Sequence, residues 1–442
     1  MDTATLARAQ MGLSLAFHII FAAFGVGLPL LLVIAETMAT RTNEPRYRLL
    51  AQRMAKGTAI LFAVGAVSGT VLSLELGLLW PEFMRRFGEV VGPLFALEGV
   101  AFFLEAIFLG IVLYGRELVS PRVFRFSGVM VAVSGAASAG FVTVVNAFMN
   151  LPVPVQWDAG RAYLEQPWLV FTAPSAATQV VHVLLSSYAV TGFVMAAVHA
   201  VLLLRGREPS FHRLALNVAL PVGAVAALLL PLSGDVAAKQ VTKHQPWKLA
   251  AMEAHFTTMA CAPLLIGGLP DEATGTVRFG LEIPCGLSVL GAVDPNAVIT
   301  GLDQVPVAER PPVTRTHLSF QVMVGAGGFL ALLSLFALGW RWRKKEWPPQ
   351  RAFLFALVVA GVAAPVAMEA GWLVTEWGRQ PYVVRGLLLT ADASTRVEGL
   401  AGRLAVFAAL YVFLAVTVVA LLRGLFREPE PTVEPSLVPH GA

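Results

Sequence analysis

Nine separate stretches of this chain are apolar over the ~20 residues that a helix needs to cross a bilayer. They lie at approximately 11–35, 57–80, 93–114, 124–148, 178–204, 212–232, 318–340, 351–377 and 403–424. Within a membrane every backbone N–H and C=O must be satisfied by the protein itself, so such runs become helices. Only 14% of the 442 residues are charged, against ~25% in a soluble domain. The sequence therefore predicts an all-α integral membrane protein, a bundle of about nine transmembrane helices with one long external loop. The 212–232 span is the weakest, because Pro221 and Pro231 interrupt it. The first run begins near Met11, is long enough to span, and lacks a small-residue cleavage site; it reads as the first helix of the bundle.

Charge sets the orientation. Loops after spans 1, 3, 5 and 7, together with the tail, hold most of the basic residues, as in Arg46, Arg48 and Arg53 or Arg341, Arg343, Lys344 and Lys345. The positive-inside rule then puts the N-terminus outside and the C-terminus in the cytoplasm. The chain divides into 1–232 with six spans, an external segment 233–317, 318–427 with three spans, and a tail 428–442 whose composition predicts disorder. Basic residues fall between apolar runs and form no clustered face, which argues against nucleic acid as a partner despite the net charge of +4. Cys261 and Cys285 both lie in the external segment; a disulfide and two unpaired thiols are both open readings.

Ionisable and metal-binding side chains inside spans are costly and mark function. His18 lies in span 1, His182 early in span 5, Met323 early in span 7 and Glu369 late in span 8. Singly, each also reads as a packing residue. Spans 1, 5 and 7 run inward and span 8 outward, so all four reach one level near the outer face, which describes a cofactor layer. His with Met suits a six-coordinate electron-transfer haem, and a lone His a haem with an open position. His199, near the inner end of span 5, reads as structural.

Glu98 and Glu105 are seven residues apart on span 3, hence on one face and about 10 Å apart along the axis. Carboxyls at that depth suit proton transfer, with Ser138 and Asn146 repeating a polar spacing on span 4; interhelical hydrogen bonding is the plainer reading. Glu75 is a further intramembrane acid with no evident partner. In the external segment, Gln245-Pro246-Trp247-Lys248 followed by Glu253 offers a donor and a proton acceptor beside apolar side chains, as a quinol headgroup requires. Alone it would be an amphipathic surface helix. Finally, the run from Met368 to Tyr382 sets Glu369 and Glu376 on an apolar helix that ends in Gly378-Arg379-Gln380-Pro381.

Arg8 ten residues before His18, the Glu98/Glu105 pair, Ser138, Asn146, His182, the Gln245–Lys248 run, Met323 and the Glu369–Tyr382 run, in this order on nine spans, resemble subunit I of the cytochrome bd quinol oxidases, of the short quinol-loop type. The resemblance implies a bacterial cytoplasmic-membrane enzyme that oxidises quinol at the outer face, reduces O2 to water and builds a proton gradient without pumping. It implies that His182 and Met323 hold a low-spin haem b. His18 and Glu369 would serve two high-spin haems, one b-type and one d-type or a further haem b in its place, with Arg379 and Gln380 beside them. Lys248 and Glu253 would work on quinol, and Ser138, Glu105 and Glu98 would form a proton relay. Expected partners are a second large membrane subunit, a small single-span subunit and membrane lipid. Three positions depart from relatives: Tyr382 and Pro365 stand where some have Trp, and Gln321 where some have a basic residue. A haem b electron relay and a haem-free proton-coupled transporter are the competing readings. The first needs no Glu369, and the second leaves the His and Met residues at one depth unexplained.

Overall fold

Proline opens four of the long helices at their first turn, where its missing N–H costs nothing. The computed structural model describes residues 3–427 apart from positions 396 and 398, so the tail expected to be disordered lies outside the described residues. Four helices come first: α1 (Thr3–Thr42), α2 (Pro45–Leu79), α3 (Pro81–Tyr114) and α4 (Pro121–Asn150). A hairpin of β1 (Gln156–Asp158) and β2 (Arg161–Tyr163) follows, then α5 (Ala176–Leu204) and α6 (Pro209–His244). The external segment carries α7 (Pro246–Met252), β3 (Met259–Ala260), β4 (Leu264–Asp271), β5 (Thr276–Ile283), α8 (Gly286–Ala292) and β6 (Val298–Ile299). Then come α9 (Val313–Lys344), α10 (Arg351–Arg379), β7 (Tyr382–Val384), β8 (Leu388–Leu389), α11 (Thr390–Ala393) and α12 (Leu400–Arg427). Among the described residues, nine of the helices are long and apolar enough to cross a membrane. The all-α bundle is as the sequence predicts.

The outward faces of these helices are apolar. Phe103 is 67% exposed, Leu74 61% and Ile107 60%, a surface that water would penalise and lipid accepts. Inside the bundle, small residues let backbones approach, as membrane helices require when lipid and side chains are equally apolar. One close seam joins α5 to α6, where a Cβ on Gly192 would collide with the backbone of Gly223. This contact explains how α6 stays one helix through Pro221 and Pro231: its wall of α5 holds it where the ladder is interrupted.

Both ends of the external segment differ from the sequence reading: α9 already begins at Val313, ahead of the expected 318. Helix α6 continues past 232 to His244, and its last turns keep a helical pair, Lys239 Nζ to Asp235 Oδ2 at 2.5 Å. The external segment is therefore shorter as a loop, and it is folded. β4 and β5 pair antiparallel from Leu264↔Ile283 to Asp271↔Thr276, and Cys261 and Cys285 are joined in a disulfide at the base of that hairpin. α9 fastens the loop. Gln321 Oε1 accepts from Gly267 N (2.9 Å) and its Nε2 donates to Leu265 O (3.1 Å), so the side chain acts as a substitute strand edge on β4. One turn outward, the ring nitrogens of His317 lie 2.8 Å from Met252 O and 3.1 Å from Gly267 O.

Replacing Gly192 by Val pushes a side chain into backbone that cannot give way, so the cost will exceed the ~1–3 kcal/mol of ordinary overpacking. Gly99 on α3 has open space where its Cβ would stand. We expect Gly192→Val to abolish the monodisperse size-exclusion peak of the detergent-solubilised protein and Gly99→Ala to leave peak and thermal midpoint unchanged.

Candidate active site

The bundle encloses a cavity of about 2530 Å³ lined from every spanning helix except α12 among the described residues. Ordinary small-molecule pockets reach ~1,000 Å³, so this volume suits several large ligands side by side. Every site residue named from the sequence lines it: His18, Glu98, Glu105, Ser138, His182, Lys248, Glu253, Met323, Glu369, Arg379 and Gln380. The walls between them are apolar and aromatic, with Phe17, Phe95, Phe320 and Trp372 among them.

The two histidines are held in the same way. His182 Nδ1 lies 2.9 Å from Ser233 Oγ, whose own hydrogen is given to Leu230 O at 3.0 Å. His18 Nδ1 lies 2.9 Å from Ser68 Oγ, whose hydrogen goes to Val64 O at 2.9 Å. A hydroxyl has one hydrogen. A serine whose hydrogen goes to a helix carbonyl accepts from Nδ1, and in that arrangement Nε2 keeps its bare lone pair. That is the tautomer a metal needs, fixed by the hydrogen bond on the opposite nitrogen.

Glycines give the other donors room. A Cβ on Gly69 would stand 3.1 Å from His18 Cε1, and one on Gly371 would stand 3.0 Å from Met323 Sδ. Glu369 Oε1 is buried and has no hydrogen-bond partner among the described residues, the condition of a carboxylate oxygen that a ligand completes. These donors stand singly on separate helices: among the described residues no three His, Cys, Asp or Glu side chains gather to hold a bare ion. Lone His, Met and carboxylate donors facing a broad apolar cavity fit the axial positions of haem groups.

The acid pair lies deeper. Ser138 Oγ donates to Glu98 Oε1 at 3.3 Å. Glu105 enters a slot between α1 and α4 cleared by two glycines: Cβ atoms on Gly25 and Gly135 would lie 3.7 and 3.4 Å from its carboxyl. Its Oε1 is buried and has no protein partner among the described residues.

At the other end, Lys248 on α7 and Glu253 just beyond it close the cavity beneath the external loop. The Lys248 shaft crosses Gly378, where a Cβ would come within 2.8 Å of Cε, and its Nζ donates to Asn150 Oδ1 at 3.0 Å. Burial, then the nearby Arg379 guanidinium, lowers the Lys248 pKa to about 7, with Glu376 opposing. Burial alone raises Glu253 to about 8, and its Oε2 has no partner among the described residues. Arg379 pairs with Glu376 at 2.7 Å and donates to Asn146 Oδ1 at 3.4 Å, while Gln380 Oε1 accepts from Thr390 Oγ1 at 2.8 Å. Trp377 lies between the guanidiniums of Arg8 and Arg315, 5.2 and 4.8 Å from its centroid.

Sequence reasoning missed the roles of Ser68, Ser233 and Asn150, and saw Gly371 and Gly378 only as members of the Met368–Tyr382 run; all five roles depend on which helix faces which. It also left Glu75 without a partner: Gln10 Nε2 donates to it at 2.8 Å, behind the cavity wall. His199 pairs with His212 at 2.9 Å, away from the cavity, as a structural residue would.

Comparison with known proteins agrees with this geometry. The family described as cytochrome bd terminal oxidase subunit I matches residues 6–430. A Bacillus subtilis (strain 168) protein provisionally named cytochrome bd menaquinol oxidase subunit I is 36% identical over 97% of this chain and 97% of its own. The Escherichia coli (strain K12) cytochrome bd-II ubiquinol oxidase subunit 1 is 26% identical over 96% of each chain. A solved structure of bd oxidase from Geobacillus thermodenitrificans superposes with a TM-score of 0.91 at 39% identity, covering 97% of this chain and 99% of that one. The chain thus belongs to the cytochrome bd terminal oxidase subunit I family, as the haem-bearing, multi-pass subunit of a bacterial respiratory complex that oxidises quinol and reduces O2.

Proposed function

We propose that His182 and Met323 would hold a low-spin haem b, and that His18 and Glu369 would each serve one of two high-spin haems, one b-type and one d-type or a second b-type. The single observation that supports this most is the convergence of these four donors on one cavity, with a serine hydroxyl 2.9 Å from Nδ1 of each imidazole. Bound there, the haems would carry electrons and supply the iron chemistry of O2 reduction. Arg379 and Gln380 border the same space and would position the groups held there.

Quinol meets Lys248 and Glu253 beneath the folded external loop. The ammonium of Lys248, easily neutralised in its buried setting, donates to a quinol oxygen, and the Glu253 carboxylate accepts a quinol proton. With the N-terminus outside and the C-terminus in the cytoplasm, protons leave on the outer side. Substrate protons come from the inner side through Ser138, Glu105 and Glu98, which line the cavity: Glu105 Oε1 has no partner among the described residues, and Glu98 accepts from Ser138. Charge is separated because protons are released and consumed on opposite sides; no pump is required. The expected assembly includes a second large membrane subunit and a small single-span one.

A reduced-minus-oxidised optical spectrum of the purified complex tests the haem assignment: a low-spin b band with a red chlorin band is expected, and absence of haem from folded protein refutes it. Met323→Leu should turn the low-spin signal high-spin at unchanged haem content. Glu105→Gln should lower O2 turnover ~10²-fold or more with all haem bands retained, the usual weight of a lost proton-transfer group. Glu253 acts as a base only when ionised, and its ionised fraction rises about tenfold per pH unit up to its pKa of about 8. kcat/KM for quinol should therefore climb with pH from the mildly acidic range, peak between about 7 and 8 and fall beyond as Lys248 loses its donating proton, and Glu253→Gln should remove the climb.

A further inference from the structure

A second hollow, of about 400 Å³, lies at the opposite end of the bundle, where the turn between α5 and α6 meets the turn between α9 and α10. Its floor is Trp347, a buried ring whose Nε1 donates to Asn217 Oδ1 at 2.9 Å. Arg341 stacks on that ring, with Cζ 4.6 Å from the centroid. Arg213, Lys345 and Arg351 complete the rim; all three are exposed, and their side chains make no hydrogen bond or ion pair among the described residues. One acid, Glu346, faces these four cations. Like charges gathered around a hollow repel one another until an anion joins them, and guanidiniums are shaped for phosphate.

The surroundings identify the source of that anion. Trp340 and Trp342 stand in the last turns of α9, and Trp342 is 76% exposed, the amphipathic ring that marks headgroup level. Toward the middle of the bundle, α9 and α10 present exposed Leu335, Phe336, Phe355 and Val359, a surface for acyl chains. A ligand with phosphate at the rim and hydrocarbon below it satisfies both parts, whereas a soluble phosphate uses the rim alone. We propose that this hollow binds the phosphate-bearing headgroup of an anionic phospholipid, with the chains of that lipid lying along α9 and α10.

The test is a titration of the delipidated, purified oxidase complex with phosphatidylglycerol and, separately, phosphatidylcholine, counting bound lipid by native mass spectrometry. The wild type should retain phosphatidylglycerol in preference. Each cation removed should weaken that binding about fivefold, and Arg213→Gln, Lys345→Gln and Arg351→Gln together about a hundredfold. Glu346→Gln removes the opposing charge and should strengthen it about fivefold. That variant keeps all four cations, so it decides the matter even if the triple variant fails to assemble. Equal retention of the two lipids by the wild type, undiminished phosphatidylglycerol binding in the triple variant, or unchanged binding in Glu346→Gln each overturns the proposal. Release of the lipid by millimolar inorganic phosphate, with a phosphate adduct in its place, overturns the lipid as the ligand.

Discussion

A membrane bundle that encloses a large hollow gives up much of the packing that would otherwise hold it, so the remaining seams must be close. At Gly192 and Gly223 the backbones of α5 and α6 meet directly, and Gly361 of α10 lies against Ala197 in the same wall. Dispersion falls steeply with separation, so backbones in direct contact recover attraction that the hollow forgoes. The position of His182 follows from this seam, since α5 carries the imidazole and α6 carries the serine that orients it. A shift of one helix against the other would break the hydrogen bond between His182 and Ser233.

The polar side chains around the hollow follow a common economy. Serines that donate to their own helix still have lone pairs to offer, so they orient a histidine without introducing an unsatisfied hydrogen. Glycines are placed opposite the functional atoms and not at random: Gly69 beside His18, Gly371 beside Met323, Gly25 and Gly135 beside Glu105, Gly378 beneath Lys248. Each removes a side chain where another helix must bring one in.

Much of this was legible in the sequence, and the illegible part has a physical reason. Nine apolar runs state nine helices because the bilayer leaves no alternative for the backbone. His18, His182, Met323 and Glu369 were visible because polar or soft donors are conspicuous in apolar runs, and their common depth followed from span direction. Facing was not visible. Ser68 and Ser233 look like any serine in a helix until α2 is seen beside α1, and α6 beside α5. The prolines of α6 suggested a weak span because local propensity is all that a single segment displays, while its tertiary wall supplied the support. Gln321 appeared only as a departure from a basic residue; in the fold it is a strand edge for β4.

That last contact bears on how the proposed quinol site and the proposed haem donor Met323 are mounted. Gln321 sits two residues before Met323 on α9, and His317 grips both the turn after α7 and β4 from the same helix. The loop that covers Lys248 and Glu253 is consequently not a lid on a free hinge. It is mounted on the shaft that presents the Met323 thioether, so loop and sulfur share one frame of reference.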